Sequence, residues 1–262
     1  MCTVTLIARQ HGYVLGMNRD EAVTRPLGLP PKRQVQNGCA VLCPSEPSGG
    51  TWIATNETGV TMALINWYSI ETRVTERMVS RGRVVNAVSD VHSTEAAHAL
   101  LLKLPLERIN PFRLIGVFPF TQEVMEWRWN LTHLELRKHE WKAHQWASSG
   151  FDEPQAQRSR GGTFRAACSR HEAGTSRWLR TLHRSHNPEC GPFSTCMHRE
   201  DAMTVSYTEV SVSASEIKMR YHDGCPCTQR GLSRASLKRS LQRCKDAAGR
   251  APSSPLIRTP SP

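Results

Sequence analysis

The second residue of the chain, Cys2, could do chemistry on its own once Met1 is removed. Methionine aminopeptidases remove an initiator methionine when the next residue is small, and cysteine qualifies. The mature chain would then begin with a thiol and a free α-amine on one residue. The pKa of such an amine is about 7.7–8.0 and that of a free thiol is about 8.5. One residue would therefore supply a nucleophile and its activating base. The alternative is that Cys2 is an ordinary small apolar residue at the start of a strand.

Several short motifs follow Cys2 in order along the chain. The first half contains Asn18-Arg19-Asp20-Glu21, Arg25-Pro26, Gly49-Gly50-Thr51-Trp52 and Leu64-Ile65-Asn66. The second half adds Trp146-Ala147-Ser148-Ser149-Gly150, the run GPFSTCMHREDA over 191–202, and Thr204-Val205-Ser206. This ordered set resembles the NRDE family, also called the transport and Golgi organisation protein 2 family, over roughly residues 1–222.

That family is similar to the cholylglycine hydrolases, penicillin V acylases and acyl-coenzyme A:6-aminopenicillanate acyltransferases. The resemblance implies an α+β fold, a four-layer αββα sandwich of the N-terminal-nucleophile (Ntn) hydrolase type, with mainly antiparallel sheets. It implies that Cys2 is the nucleophile, that Asp20 orients its α-amine and that Asn66 helps form an oxyanion hole. A nearby carboxylate stabilises the amine after it accepts the thiol proton, and an amide N–H stabilises a tetrahedral oxyanion.

The chain departs from these hydrolases at two positions. They carry an Arg immediately before the Asn of the first motif, where this chain has Met17, so Arg19 is the catalytic candidate for that role. They also carry a second oxyanion Asn in a turn that aligns near Ser148. We assign Asn18, Trp52 and Ser148 to substrate binding. The structural alternatives are an Asp–Arg pair in a polar turn at 18–21 and an Asn66 that bonds to a neighbouring loop.

The resemblance leaves two functions open. The first is a cysteine hydrolase or acyltransferase that acts, without a cofactor, on a non-peptide amide of a small acylated molecule through an acyl-Cys2 intermediate. The second is a non-catalytic family member that binds or traffics a hydrophobic ligand such as haem, with Cys2 or a histidine as an axial ligand. The sequence leaves the oligomeric state open.

Histidines and cysteines in the second half of the chain raise the question of a metal site. They are His183, His186, Cys190, Cys196, His198 and the pair Cys225-Pro226-Cys227. Their spacing fits no tight pattern of Cys-x-x-Cys with His-x3–5-His, and two thiols alone are a weak signal. The sequence therefore predicts no metal site.

Composition and charge set further limits. The 262 residues carry a net charge of +11, but the segment 228–262 holds eight basic residues against one acid. We predict one domain over 1–227 and a disordered Ser/Pro/Arg-rich tail over 228–262, without specific nucleic-acid binding. No apolar run is long enough for a membrane span, and the start does not read as a signal peptide. The nine cysteines are an odd number and are scattered along the chain, which does not suggest a disulfide framework. Together these features predict a cytoplasmic protein with reduced thiols.

The pattern of elements is strands, then helices, then strands. Alternating residues predict a hairpin over 2–17, and Pro and Gly over 22–50 predict a long surface loop. Helical spacing predicts helices over 83–104 and 163–185. Further strands are predicted over 112–118, 123–129, 194–198, 203–213 and 216–221.

Overall fold

The computed structural model describes residues 2–228 and 231–240, and thirteen strands in this part of the chain form two antiparallel sheets. The first sheet has the order β10-β1-β2-β11-β12-β13. Its strands are β1 (Cys2–Arg9), β2 (Gly12–Ala22), β10 (His144–Ser148), β11 (Ala202–Val212), β12 (Glu216–Asp223) and β13 (Leu232–Lys238). The N-terminal strand β1 thus lies inside the sheet, with partners on both sides.

The second sheet runs in the order β3-β4-β5-β6-β7-β8-β9, so every neighbour in the sheet is also a neighbour in sequence. Its strands are β3 (Leu29–Gln36), β4 (Cys39–Ser45), β5 (Ile53–Asn56), β6 (Thr61–Asn66), β7 (Phe112–Phe118), β8 (Glu123–Trp129) and β9 (Leu134–His139). Apart from the long segment 67–111 between β6 and β7, the connections are short hairpins, which favour antiparallel pairing.

Helices cover the outer face of each sheet. The helices α1 (Gly82–Ala87) and α2 (Thr94–Leu101) pack on the second sheet, and α3 (Glu153–Cys168) and α4 (Ser176–His183) pack on the first. A 3-10 turn over Leu106–Arg108 precedes β7. Among the described residues, no helix has the length and apolar character that a membrane crossing requires.

Three apolar clusters separate these four layers. The central cluster lies between the sheets, where Val4 and Leu6 of β1 meet Ile65 of β6. The other two clusters lie under the helices, one around Trp127 and one around Trp178. Residues that alternate along a strand point to opposite faces, so β1 is buried on both faces. The predicted αββα sandwich is confirmed.

The predicted surface loop over 22–50 is wrong, because it contains the hairpin of β3 and β4. The two strands are joined at Asn37-Gly38, where both residues have positive φ, 48° and 74°. Asn-Gly is a strong signal for a two-residue hairpin turn, since both positions tolerate the left-handed conformation. The buried residues of β4 then continue the sheet towards β5.

Both long helices predicted from periodicity are interrupted. The stretch 83–104 divides into α1 and α2, because the side chain of Ser93 accepts a hydrogen bond from Ala96 N at 3.2 Å and so caps the start of α2. The stretch 163–185 contains only the end of α3, which already begins at Glu153, and all of α4, with Gly174 at φ 88° between the two helices. The strand predicted over 194–198 is also wrong: this segment is a loop, with a single bridge between His198 and Met203.

The predicted boundary between the domain and its tail lies too early in the chain. Residues 232–238, assigned to the disordered tail, form β13 and pair with β12 along its length. Leu237 is buried in the central cluster, whereas Arg234 and Lys238 face outwards on this edge strand, as is common at sheet edges. The rest of the predicted tail, 241–262, lies outside the described residues.

One buried histidine links the first sheet to α4 and makes stability depend on pH. His183 is fully buried, with Nδ1 at 3.0 Å from Asn18 Oδ1 and Nε2 at 3.1 Å from Thr5 Oγ1. Burial and the positive charge of Arg160 lower the pKa of His183 to about 3. In the unfolded chain the pKa of histidine is about 6.5, so the unfolded state binds the proton better.

We therefore expect protonation of His183 to destabilise the fold as the pH falls from about 6.5 towards 3. In this window the His183→Gln variant should lose less stability than the wild type, by about 1.4 kcal/mol per pH unit. Urea unfolding at several pH values measures this slope. The matched control is His133→Gln, at an exposed histidine. Equal slopes for His183→Gln and the wild type would contradict the assignment.

Candidate active site

Cys2 lies at the first position of a central strand and at the wall of a cavity. Its backbone pairs with Arg19 of β2 on one side and with Ser148 of β10 on the other. The side chain is 7% exposed and borders a cavity of about 360 Å³. The cavity is lined mainly by polar and charged residues from β1, β2, the loop before β5, the end of β6 and the start of α1, including Asp20, Glu21, Arg25, Glu46, Thr51, Trp52, Asn66, Arg81 and Asn110.

The thiol of Cys2 has a mixed electrostatic environment. Burial raises its pKa, because the thiolate loses its contact with water. The carboxylate of Asp20 also raises this pKa, whereas the backbone N–H of Asp20 and the charge of Arg19 lower it. A thiol in this position needs a nearby base to react as a thiolate at neutral pH.

The backbone nitrogen of Cys2 points at Ser148. It donates to Ser148 Oγ at 3.0 Å, and Ser148 is fully buried. In a chain that begins at Cys2, this nitrogen would be the α-amine. The residues that line the cavity do not include Ser148. The structure thus places Ser148 beside the nucleophile, rather than in the substrate contact that the sequence predicts.

The carboxylate of Asp20 is held in place by residues that the sequence did not indicate. Its Oδ1 accepts a hydrogen bond from Thr204 Oγ1 at 2.7 Å, and its Oδ2 forms an ion pair of 3.2 Å with Arg160 Nη1. Arg160 also donates to Thr3 Oγ1 at 2.8 Å. Both charged side chains are fully buried. The signal in the sequence was weak: Arg160 follows Ala156 by one helical turn, on the buried face of α3.

Arg19 forms one wall of the cavity through a paired charge network. Its guanidinium lies 4.5 Å from the centre of the Trp52 ring, a cation–π distance. It also forms ion pairs with Glu46 at 2.6 Å and Glu21 at 3.3 Å. Arg25 binds both of the same carboxylates, each at 3.0 Å. Arg19 and Trp52 thus both line the cavity, with the charge of Arg19 already neutralised.

Asn66 ends β6 on the opposite sheet and lines the same cavity as Cys2. Its Nδ2 donates to the hydroxyl of Tyr68 at 2.8 Å. An amide nitrogen carries two hydrogens, so one donor is fixed by Tyr68 and the second is available for a ligand. The hydrogen bond to Tyr68 fixes the orientation of the amide.

Asn18 lies on the opposite face of β2 from the cavity wall formed by Arg19. Its Nδ2 donates to the backbone carbonyls of His183 at 2.9 Å and Thr195 at 2.8 Å. It is fully buried and is not among the residues lining the cavity. The structure therefore places Asn18 outside the cavity lining, where its amide fixes the loop after α4 to the first sheet.

Arg81 lines the cavity as well, and the sequence did not indicate it. It precedes α1, lines the cavity and donates to the Pro111 carbonyl at 3.3 Å. Burial lowers the pKa of Arg81, and the charges of Tyr68 and Cys2 raise it. Over the described ranges 2–228 and 231–240, Arg81 has no ion-pair partner within 4.0 Å. Arg19 and Arg25 are neutralised by carboxylates, so Arg81 is the lining cation without an ion pair among the described residues.

This arrangement has the groups that acyl transfer needs. A thiol, a carboxylate and an oriented amide donor converge on one cavity, from Cys2, Asp20 and Asn66. Nucleophile, orienting group and oxyanion donor are the three roles of such a reaction.

Comparison with known proteins places the chain in a family and a fold. The family model described as "Transport and Golgi organisation 2" matches residues 1–222. No curated protein matches the chain.

Two solved structures share the fold. The C2A mutant of conjugated bile acid hydrolase from Clostridium perfringens is 9% identical, with a TM-score of 0.54, over 89% of this chain and 92% of that one. Penicillin V acylase from Agrobacterium tumefaciens is 10% identical, with a TM-score of 0.51, over 85% of this chain and 83% of that one. The fold is that of the Ntn hydrolases.

The buried pair of Asp20 and Arg160 predicts a non-additive effect on stability. Arg160→Met should cost about 3–5 kcal/mol of unfolding free energy, because it removes the cation that compensates the buried charge of the Asp20 carboxylate. Adding Asp20→Asn should recover part of this loss, since no buried charge then remains. Urea unfolding of the two single variants and the double variant forms the thermodynamic cycle. Costs that simply add would show that the two charges do not interact.

Proposed function

Because the chain belongs to the transport and Golgi organisation 2 family and has the Ntn-hydrolase fold, we propose that it is a cysteine amidohydrolase or acyltransferase. The proposed substrate is a small acylated molecule with a non-peptide amide bond. The observation that carries the proposal is the position of Cys2, with its thiol at the cavity and its nitrogen bound to Ser148 at 3.0 Å.

The first step begins with a chain from which Met1 has been removed. The α-amine of Cys2 takes the thiol proton, and the thiolate attacks the amide carbon to give a tetrahedral oxyanion. Collapse breaks the C–N bond, and the leaving amine takes the proton from the α-ammonium. Acyl-Cys2, a thioester, remains. Water releases a carboxylic acid by the same route in a hydrolase, and an acceptor amine forms a new amide in a transferase.

Asp20 and Ser148 are proposed to position the α-amine. Ser148 Oγ lies at hydrogen-bond distance from the Cys2 nitrogen. Asp20 pairs with Arg160, which anchors the carboxylate, and its negative charge stabilises the ammonium form. Oriented groups of this kind lower the entropic cost of the reaction.

Asn66 is proposed to donate to the oxyanion through the N–H that Tyr68 does not use. Loss of one such donor typically costs about 2.7–4 kcal/mol of transition-state stabilisation. Tyr68 is then a positioning residue, because it fixes the amide plane without contacting the reacting atoms.

Arg81 is proposed to recognise an anionic group of the substrate. It lines the same cavity as Cys2 and forms no ion pair with any described residue. A guanidinium binds a carboxylate in a bidentate manner. A substrate with a carboxylate near the scissile amide therefore fits the cavity better than a neutral amide.

The polarity of the cavity disfavours the haem alternative, although Cys2, one of its two possible axial ligands, lies at the cavity wall. Charged and polar side chains form most of its lining, and none of the described lining residues is a histidine. Cofactor sites of that type are mainly apolar. We place the reaction in the cytoplasm, since a cysteine nucleophile must stay reduced.

A small electrophile should acylate Cys2 in the wild type. We expect one adduct per chain on the N-terminal peptide, and none on that peptide in Cys2→Ala, as read by peptide mass mapping. Cys168→Ala is the matched control, because Cys168 is an exposed thiol outside the cavity. Labelling of Cys168 in preference to Cys2 would contradict the proposal.

Arg81→Gln should weaken binding of anionic substrates in particular. With a panel of N-acyl compounds, kcat/KM should fall by about 10- to 100-fold for carboxylate-bearing members, the loss of a hydrogen bond to a charged group worth about 1.5–3 kcal/mol. The rate for neutral members should change little, and Arg83→Gln, near the cavity but outside its lining, should change neither. An equal loss for both classes would contradict a role in recognising charge.

A further inference from the structure

A second cluster of reactive side chains lies away from the Cys2 cavity. It joins the loop between α4 and β11 to the turn after β12, and its members, here called the thiol cluster, are Cys196, His198, Cys225 and Cys227. Cys196 and Cys225 are buried, and Cys227 is exposed. In sequence these residues form two short arms, Cys-x-His and Cys-x-Cys, separated by 26 residues between His198 and Cys225.

The donor atoms of the thiol cluster surround a single point. Cys225 Sγ lies 3.3 Å from Cys196 Sγ and 3.3 Å from Cys227 Sγ. His198 Nε2 lies 3.3 Å from Cys225 Sγ, 3.5 Å from Cys227 Sγ and 3.7 Å from Cys196 Sγ. In a tetrahedral zinc site with Zn–S of about 2.3 Å and Zn–N of about 2.0–2.1 Å, ligand atoms lie roughly 3.5–3.8 Å apart. The observed N–S spacings agree with these values within about 0.3 Å, and the two S–S spacings are shorter by about half an ångström.

The sulfur spacing differs from that of a disulfide. An S–S bond is about 2.05 Å long, and both Sγ–Sγ distances here are 3.3 Å. Three thiols and an imidazole at such spacing are soft ligands that favour zinc among the common divalent ions. Donors packed around one point also suit a single ion better than an iron–sulfur cluster, whose ligands bind different irons.

We propose that Cys196, His198, Cys225 and Cys227 bind one Zn²⁺ ion as a structural site. Four protein ligands complete the tetrahedron, so no position remains for a substrate or an activated water. Binding releases the thiol protons.

His186 lies beside the proposed ion and is a further candidate donor. Its ring centre lies 5.0 Å from that of His198, and one of its ring nitrogens lies within 4.8 Å of the ligand atoms of Cys196, His198 and Cys227. Its Nε2 is buried and has no hydrogen-bond partner among the described residues.

The ion would fix the loop that contains Met197, and this loop supports Asp20 next to the Cys2 cavity. The backbone N–H of Met197, between two of the ligands, donates to Thr204 Oγ1 at 2.8 Å. Thr204 in turn donates to Asp20 at 2.7 Å. In the same loop, the carbonyl of Thr195 accepts from Asn18 and that of Pro192 accepts from Arg160. An ion that links this loop to the turn after β12 would therefore stabilise the hydrogen bonds that hold Asp20.

Titration of the reduced, metal-free full-length protein with Co²⁺ tests the site. We expect saturation at one Co²⁺ per chain, an intense thiolate-to-cobalt charge-transfer band in the near ultraviolet, visible bands of tetrahedral cobalt, and loss of all of them on addition of Zn²⁺. Cys227→Ser should lose about a third of the charge-transfer intensity, as one of three thiolates is removed. Cys168→Ser and Cys2→Ala, both outside the cluster, should bind as the wild type does.

The wild-type titration alone can overturn the proposal. Absence of stoichiometric Co²⁺ binding in the reduced wild type, or octahedral spectra without the charge-transfer band, would do so, as would binding that Cys2→Ala abolishes. His198→Cys keeps four soft ligands and should keep the ion, whereas His198→Ala should weaken binding. The titration does not depend on enzymatic activity, so it stands apart from the proposed amide chemistry.

Discussion

The proposed chemistry depends on one hydrogen bond, from the backbone nitrogen of Cys2 to the hydroxyl oxygen of Ser148. A thiol and an α-amine on one residue can act together only if the first residue of the strand is held as firmly as its middle. Here β1 lies inside the first sheet, and Cys2 has a partner strand on each side. The hydrogen bond to Ser148 therefore fixes an atom that would be free at most chain termini.

Support for this position comes from the outer face of the sheet. The Asp20 carboxylate bonds to Arg160 of α3 and to Thr204 of β11, so helix, sheet and loop all contribute to its orientation. Buried charges of this kind are costly unless they are fully paired. The proposed zinc ion would extend the same support, since its ligands lie on either side of Met197, which bonds to Thr204.

The family resemblance carried by the ordered motifs implied the four-layer fold, and alternating residues, which are a local signal, predicted most strands. It also predicted residues that line the cavity, Cys2, Arg19, Asp20 and Asn66, because each belongs to a short motif. Arg81 and Arg160 could not be predicted in this way, because neither belongs to a motif. Their roles depend on tertiary contacts, which bring Arg160 to Asp20 and Arg81 to the cavity. The thiol cluster was missed for a related reason, since its two arms are far apart in sequence and meet only after β11 and β12 have paired. The Asn37-Gly38 pair, by contrast, is a local turn signal that could have predicted the hairpin of β3 and β4.

The central claim is that the working chain begins at Cys2 with a free α-amine. An intact-mass measurement of the protein purified from cells tests it most directly, since it reports the N-terminal residue without any assumption about substrate. If Cys2 is the N-terminal residue, the measured mass will be that of the 262-residue chain less one methionine residue. A mass that retains Met1 would contradict it, because the nitrogen of Cys2 would then be an amide and could not accept the thiol proton.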